Sequence, residues 1–207
     1  MNPNWAEENL QTIRTLMERS ALYRRALAPV MITCGMAGLA GGAVGWLGKL
    51  DSYTAFVAVW ATTAVVALSC SLLLMRRQAL RDSEPFWSAP TRRIAQALAP
   101  PFVVGAIMTD VIFGTANDEG MAIAAILIWC LSYGCGIHAA GFFMPRGIRW
   151  FGWIFILAGL GLITFLFSAP VPVWAFISPH LLMAAIFGGL HLAYGIYLYF
   201  TEKKNPA

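Results

Sequence analysis

The stretch MAIAAILIWCLSYGCGIHAAGFF, Met121–Phe143, runs for twenty-three residues without an Asp, Glu, Lys or Arg. A bilayer hydrocarbon core about 30 Å thick takes about 20 apolar residues of helix to cross. Lipid offers the backbone no hydrogen-bond partners, so a spanning segment must satisfy its own N–H and C=O groups, as a helix does. Met121–Phe143 therefore predicts a membrane-spanning helix. Working outward, five more apolar stretches flank it: Ala28–Leu47, Tyr53–Met75 and Ile94–Phe113 before it, Ile148–Phe167 and Trp174–Phe200 after it. The expected fold is all-α: a six-transmembrane-helix bundle over residues 28–200, preceded by a segment over 1–27 and followed by a tail over 201–207.

The composition agrees with this class. The chain is 59% hydrophobic and 12% charged, about half the usual charged share, and its mean hydropathy is +0.68. Six spans leave no length for a second domain. The polar opening with Asn2, Asn4, Glu7, Glu8 and Asn9 does not read as a secretory signal.

Basic residues set the expected orientation. Thirteen of the fourteen Lys and Arg fall before the first stretch, between the second and third, between the fourth and fifth, or after the sixth. They are Arg14, Arg19, Arg24, Arg25, Arg76, Arg77, Arg81, Arg92, Arg93, Arg146, Arg149, Lys203 and Lys204; Lys49 alone lies opposite. Cytoplasmic loops carry such an excess, so both termini are expected inside. The sequence pI near 9.0 then reflects a rim at the lipid headgroups and gives no reason to expect nucleic-acid binding. Cys34, Cys70, Cys130 and Cys135 all lie within apolar stretches, where free thiols act as small apolar residues.

Two segments outside the spans have character. Trp5–Leu27 places Leu10, Ile13, Leu16 and Met17 on one stripe, the spacing of an amphipathic helix. It is expected to lie along the inner membrane surface or to pack on a partner, with Trp5, Leu10, Ile13 and Met17 in the contact. Arg76–Arg93 is the longest loop. Its Phe86 and Trp87 are expected to anchor it at the interface or to contact a partner. Within the spans, Gly35, Gly38, Gly41, Gly42, Gly45 and Gly48 form a stripe on the first helix, and Ala184, Gly188 and Gly195 form another on the sixth. Small residues let helix backbones approach closely in lipid, either within the chain or in a homodimer.

Polar groups inside the spans carry the functional candidates, since an ionisable residue at depth is costly. Asp110 and His180 sit at similar outer depth and could share a proton or ion site. His138 and His191 sit at matched depth from their helix starts, the arrangement a bis-histidine haem b needs. Cys135, three residues before His138, adds a third candidate metal ligand. Four ligands do not assemble from the sequence.

The stretch Glu8-Asn9-Leu10-Gln11-Thr12-Ile13-Arg14-Thr15-Leu16-Met17-Glu18-Arg19 resembles the opening of small multi-pass bacterial membrane proteins of unknown function. Pro85-Phe86-Trp87-Ser88 and Gly188-Gly189-Leu190-His191-Leu192-Ala193-Tyr194-Gly195-Ile196-Tyr197 resemble them too. That resemblance implies a bacterial inner-membrane location and supplies no activity or site. The main expectation is a non-enzymatic sensor, scaffold or complex subunit without a cofactor, acting through its cytoplasmic segments. The alternatives are a small proton- or ion-coupled transporter using Asp110 and His180, and a haem-bearing redox subunit using His138 and His191.

Overall fold

Ser52 and Ser88 start two of the helices for the same reason. Each is a hydroxyl residue before an apolar run, and its oxygen takes a backbone N–H that the first turn leaves unpaired. Ser52 Oγ accepts from the Ala55 amide at 3.2 Å, and Ser88 Oγ meets both the Thr91 amide and its hydroxyl. The computed structural model describes residues 26–115, 120–168 and 177–202. The expected helix of Trp5, Leu10, Ile13 and Met17 lies outside the described residues, as does the end of the tail.

The described residues are mostly helical, with no strand among them, and six helices are long and apolar enough to span a membrane. They are α1 (Ala26–Leu47), α2 (Tyr53–Arg81), α3 (Ala89–Thr115), α4 (Gly120–Ala140), α5 (Arg146–Ser168) and α6 (Pro179–Thr201).

Several boundaries differ from the expected ones. Helix α2 continues past Met75 to Arg81 and α3 begins at Ala89, so the long loop shrinks to residues 82–88. Arg76–Arg81 is built of good helix formers, and nothing stops the helix before Asp82. It closes in a Schellman turn: the Glu84 amide donates to Ala79 O at 2.9 Å, the Ser83 amide donates to Leu80 O, and Ser83 has φ 54°. Helix α1 ends in the same turn, with Leu50 N to Gly45 O at 3.0 Å and Lys49 at φ 51°. Helix α4 stops at Ala140, short of Phe143, and the chain leaves it through tight turns at Phe142 and Phe143. Helix α6 begins at Pro179, where the run from Trp174 predicted an earlier start. Ser178 is extended (φ −62°, ψ 120°) because a residue before proline avoids the helical region, and proline suits the first helical position.

Helix α4 is central, packing against α2, α3, α5 and α6. Its Ala122, Ala125, Gly134, Gly136 and Ala140 are buried, so small residues on several sides admit neighbours around it. Two glycine seams hold the bundle. On the α4–α5 seam, a Cβ at Gly134 would stand 2.9 Å from the Gly152 carbonyl oxygen, and one at Gly152 would stand 2.5 Å from the His138 amide nitrogen. On the α1–α6 seam, Gly35 lies against Leu192, Gly38 against Gly188, Gly42 against Ala184 and Gly45 against His180, while Gly195 lies against Ile32. The stripe read from α1 is thus occupied by α6 of the same chain, with Gly41 facing Thr63 of α2.

The α1–α6 seam explains an irregularity in α6. From Ile32 to Gly45 is thirteen steps along α1, yet the facing stretch from Gly195 back to His180 takes fifteen. Residues Ala184–Gly189 form a π turn, which holds more residues per turn than an α-helix. In a plain α-helix, positions four apart drift around the axis by roughly 40° per step. The wider turn cancels part of that drift and keeps His180, Ala184 and Gly188 on the face that meets α1.

Candidate functional site

His191 follows the π turn by two residues and is 5% exposed. Its Nδ1 lies 2.6 Å from the Phe187 carbonyl oxygen. A carbonyl only accepts, so Nδ1 carries the proton. The neutral ring then accepts at Nε2 from the Tyr133 hydroxyl, 2.5 Å away. Four rings enclose the imidazole: Tyr133 of α4, Phe151 and Phe155 of α5, and Phe187 of α6, with centroids 5.1–6.4 Å from it. Tyr133 also lies edge-on to Phe102 of α3. Helices α3, α4, α5 and α6 thus contribute to the surroundings of one buried polar pair. Cys34 Sγ of α1 meets Ser71 Oγ of α2 at 3.3 Å.

His138 is elsewhere. Its Nδ1 is 3.3 Å from the Arg149 carbonyl oxygen, and its ring lies edge-on to Phe142 and Trp153. On α5, Arg149 and Trp153 share one face while Phe151 and Phe155 share another, roughly 200° around the axis. Helix α5 therefore stands between His138 and His191. Along α5 the two lie at neighbouring levels, His138 beside Arg149 and Trp153 and His191 beside Phe151 and Phe155, so it is direction that separates them. Cys135 is exposed. Among the described residues no three His, Cys, Asp or Glu side chains gather to hold a metal ion. His191 has no ring nitrogen free for iron unless Tyr133 turns away.

Asp110 and His180 come to the same end of α2 and face differently. His180 is 1% exposed. Its Nε2 donates to the Leu50 carbonyl at 3.0 Å, its ring lies 5.2 Å from that of Phe56, and it covers Gly45. Its Nδ1 is buried without a hydrogen-bond partner among the described residues, as are Trp60 Nε1 and Ser178 Oγ. Asp110 is exposed on α3, beside the Thr109 carbonyl that accepts from the Tyr53 hydroxyl at 2.9 Å. The first turn of α2 thus touches both neighbourhoods, through Tyr53 and Phe56, and no hydrogen bond joins the carboxylate to the imidazole. In the 82–88 loop, Phe86 is half-buried and its carbonyl accepts from Thr91 Oγ1, while Trp87 is 60% exposed.

Two features escaped the sequence reading. Tyr133 as partner of His191 had no local signal, because the pair spans fifty-eight residues. The α4–α5 seam had one: Gly134 and Gly141, and Gly152 and Gly159, each stand seven apart, which returns to the same helix face. The chain matches no protein-family model, no curated protein and no solved structure. Chemically, the polar pair at His191 is closed. Its hydrogen bonds tie α4 to α6 inside an apolar cage.

Proposed function

We propose that this is a non-enzymatic component of a bacterial cytoplasmic-membrane assembly, with both termini inside and its working surface at the basic end. The single observation that carries this reading is the contrast between the bundle's interior and that end. Inside, His191 is bonded at both nitrogens and the seams are glycine-tight. The basic end instead presents exposed aromatic side chains: Trp87 in the α2–α3 loop, Phe142 and Phe143 in the α4–α5 loop, and Trp150 at the start of α5. Exposed aromatic residues beside arginines are enriched where proteins meet partners and where helices meet headgroups. The thirteen-to-one placement of basic residues supports the orientation, and the exposed apolar faces of α2 and α3 support lipid around the bundle. The partner contact is assigned to Phe86 and Trp87 with the amphipathic segment of Trp5, Leu10, Ile13 and Met17.

The test is blue-native electrophoresis after mild solubilisation of the source membrane. The wild-type chain should migrate in a species larger than its own protomer, and Trp87→Ala should release it. A wild-type chain that migrates alone would overturn the proposal.

A further inference from the structure

Gly141 is where α4 ends and α5 presses back on it. A Cβ at Gly141 would stand 2.8 Å from the Arg149 amide nitrogen and closer still to the Arg149 stem. The Arg149 side chain therefore runs over Gly141 toward the loop. There its guanidinium carbon sits 5.2 Å from the centre of the Phe142 ring. At the next residue, Arg93 of α3 places its guanidinium carbon 6.0 Å from the centre of the Phe143 ring. Two adjacent phenylalanines thus hold two cations at one short loop. No carboxylate pairs with either arginine among the described residues. Phe142 is 64% exposed and Phe143 45%, so the cations rest on rings that are themselves open to the surroundings.

The neighbouring surface continues this arrangement lengthwise. Trp150 follows Arg149 and is 71% exposed, and Trp153, Ile154 and Leu157 are exposed beyond it. Their spacing is that of one helix face, an apolar stripe that descends α5 from the arginine pair.

From this geometry we infer that Arg93 and Arg149 bind the phosphate of an anionic phospholipid, whose acyl chain lies along the Trp150–Leu157 stripe. The inference rests on the basic end facing the inner leaflet, as proposed above. A guanidinium matches phosphate oxygens with paired donors, and basic pockets between helices on the cytoplasmic side take anionic headgroups. Stacking on Phe142 and Phe143 fixes the donors before the lipid arrives.

Purified full-length protein in detergent would be titrated with dioleoylphosphatidylglycerol and, separately, with dioleoylphosphatidylcholine, counting bound lipid by native mass spectrometry. The wild type should prefer the anionic lipid by roughly fivefold for each guanidinium engaged. Arg93→Gln with Arg149→Gln should bring the preference near unity. Phe142→Leu with Phe143→Leu keeps both charges and should lower it at least twofold, so the result does not depend on one variant folding. Arg76→Gln with Arg77→Gln should leave it unchanged. Three results would overturn the proposal: equal binding of both lipids by the wild type, a preference that survives loss of both arginines, or full displacement by millimolar inorganic phosphate. Phosphate displacement would mark a free-anion site. The test reads lipid selection alone, so it separates this inference from the assembly reading, which stands or falls on Trp87.

Discussion

At the scale of single residues, buried polar atoms decide most of the outcome. Tyr133→Phe leaves His191 Nε2 buried without its donor. Side-chain hydrogen bonds between membrane helices are worth about 0.6 kcal/mol on average, up to about 1.7. The expected loss of stability is therefore about 1 kcal/mol. A double-mutant cycle with His191→Phe, read by thermal unfolding in detergent, should show the two changes costing less together than apart, because the double variant leaves neither group orphaned. Strict additivity would mean that the hydrogen bond contributes nothing. Lys49 tells a second residue-scale story. A non-glycine residue in the left-handed region pays roughly 1–2 kcal/mol in steric crowding, and Lys49 holds φ 51° at the end of α1. Lys49→Gly should raise the unfolding midpoint if the cap geometry is as described. Neither position was legible beforehand, since lysine is not a cap residue by type and the histidine's partner lies far along the chain.

At the scale of elements, the glycines divide by what faces them. Gly38→Leu drives a side chain into Gly188 of α6 and should cost about 1–3 kcal/mol from overpacking. Gly161 of α5 has nothing within 4 Å of a built Cβ. There Gly161→Ala should gain up to about 1 kcal/mol of helix propensity. The same detergent melt distinguishes the pair: equal shifts in both would show that the α1–α6 seam is not the tight contact described. The six helices were legible because apolar length is a property of each segment alone. The α1 stripe was legible for the same reason, as Gly35, Gly38, Gly42 and Gly45 recur at helical spacing. The π turn was not. Ala184, Ile186 and Phe187 carry no mark of it, because the need for extra residues arises only when thirteen steps of α1 face fifteen of α6. Matched depth on His138 and His191 says nothing of direction, and the two rings meet different faces of α5.

At the scale of the whole molecule, the membrane reading makes a plain demand. Single cysteines introduced at Asn2 and Asn205, in a background lacking the native four, should resist an impermeant thiol reagent applied outside intact cells and react after the membrane is opened. Labelling of either from outside would reverse the orientation. The bundle is organised by α4, whose small buried residues let four other helices approach. Its central place was only partly readable. The run Met121–Phe143 is apolar on every side, which marks a buried helix as well as a lipid-facing one.

The α1–α6 seam joins the first described span to the last, and this has a consequence for how the chain comes into being. A nascent polypeptide emerges from the ribosome in order, so α1 exists for the whole of synthesis before its partner does. During that interval Gly35, Gly38 and Gly42 have no helix to receive them. The α4–α5 seam, separated by one short loop, can close almost at once. Biogenesis should therefore proceed from the middle outward, with α1 waiting until α6 is made.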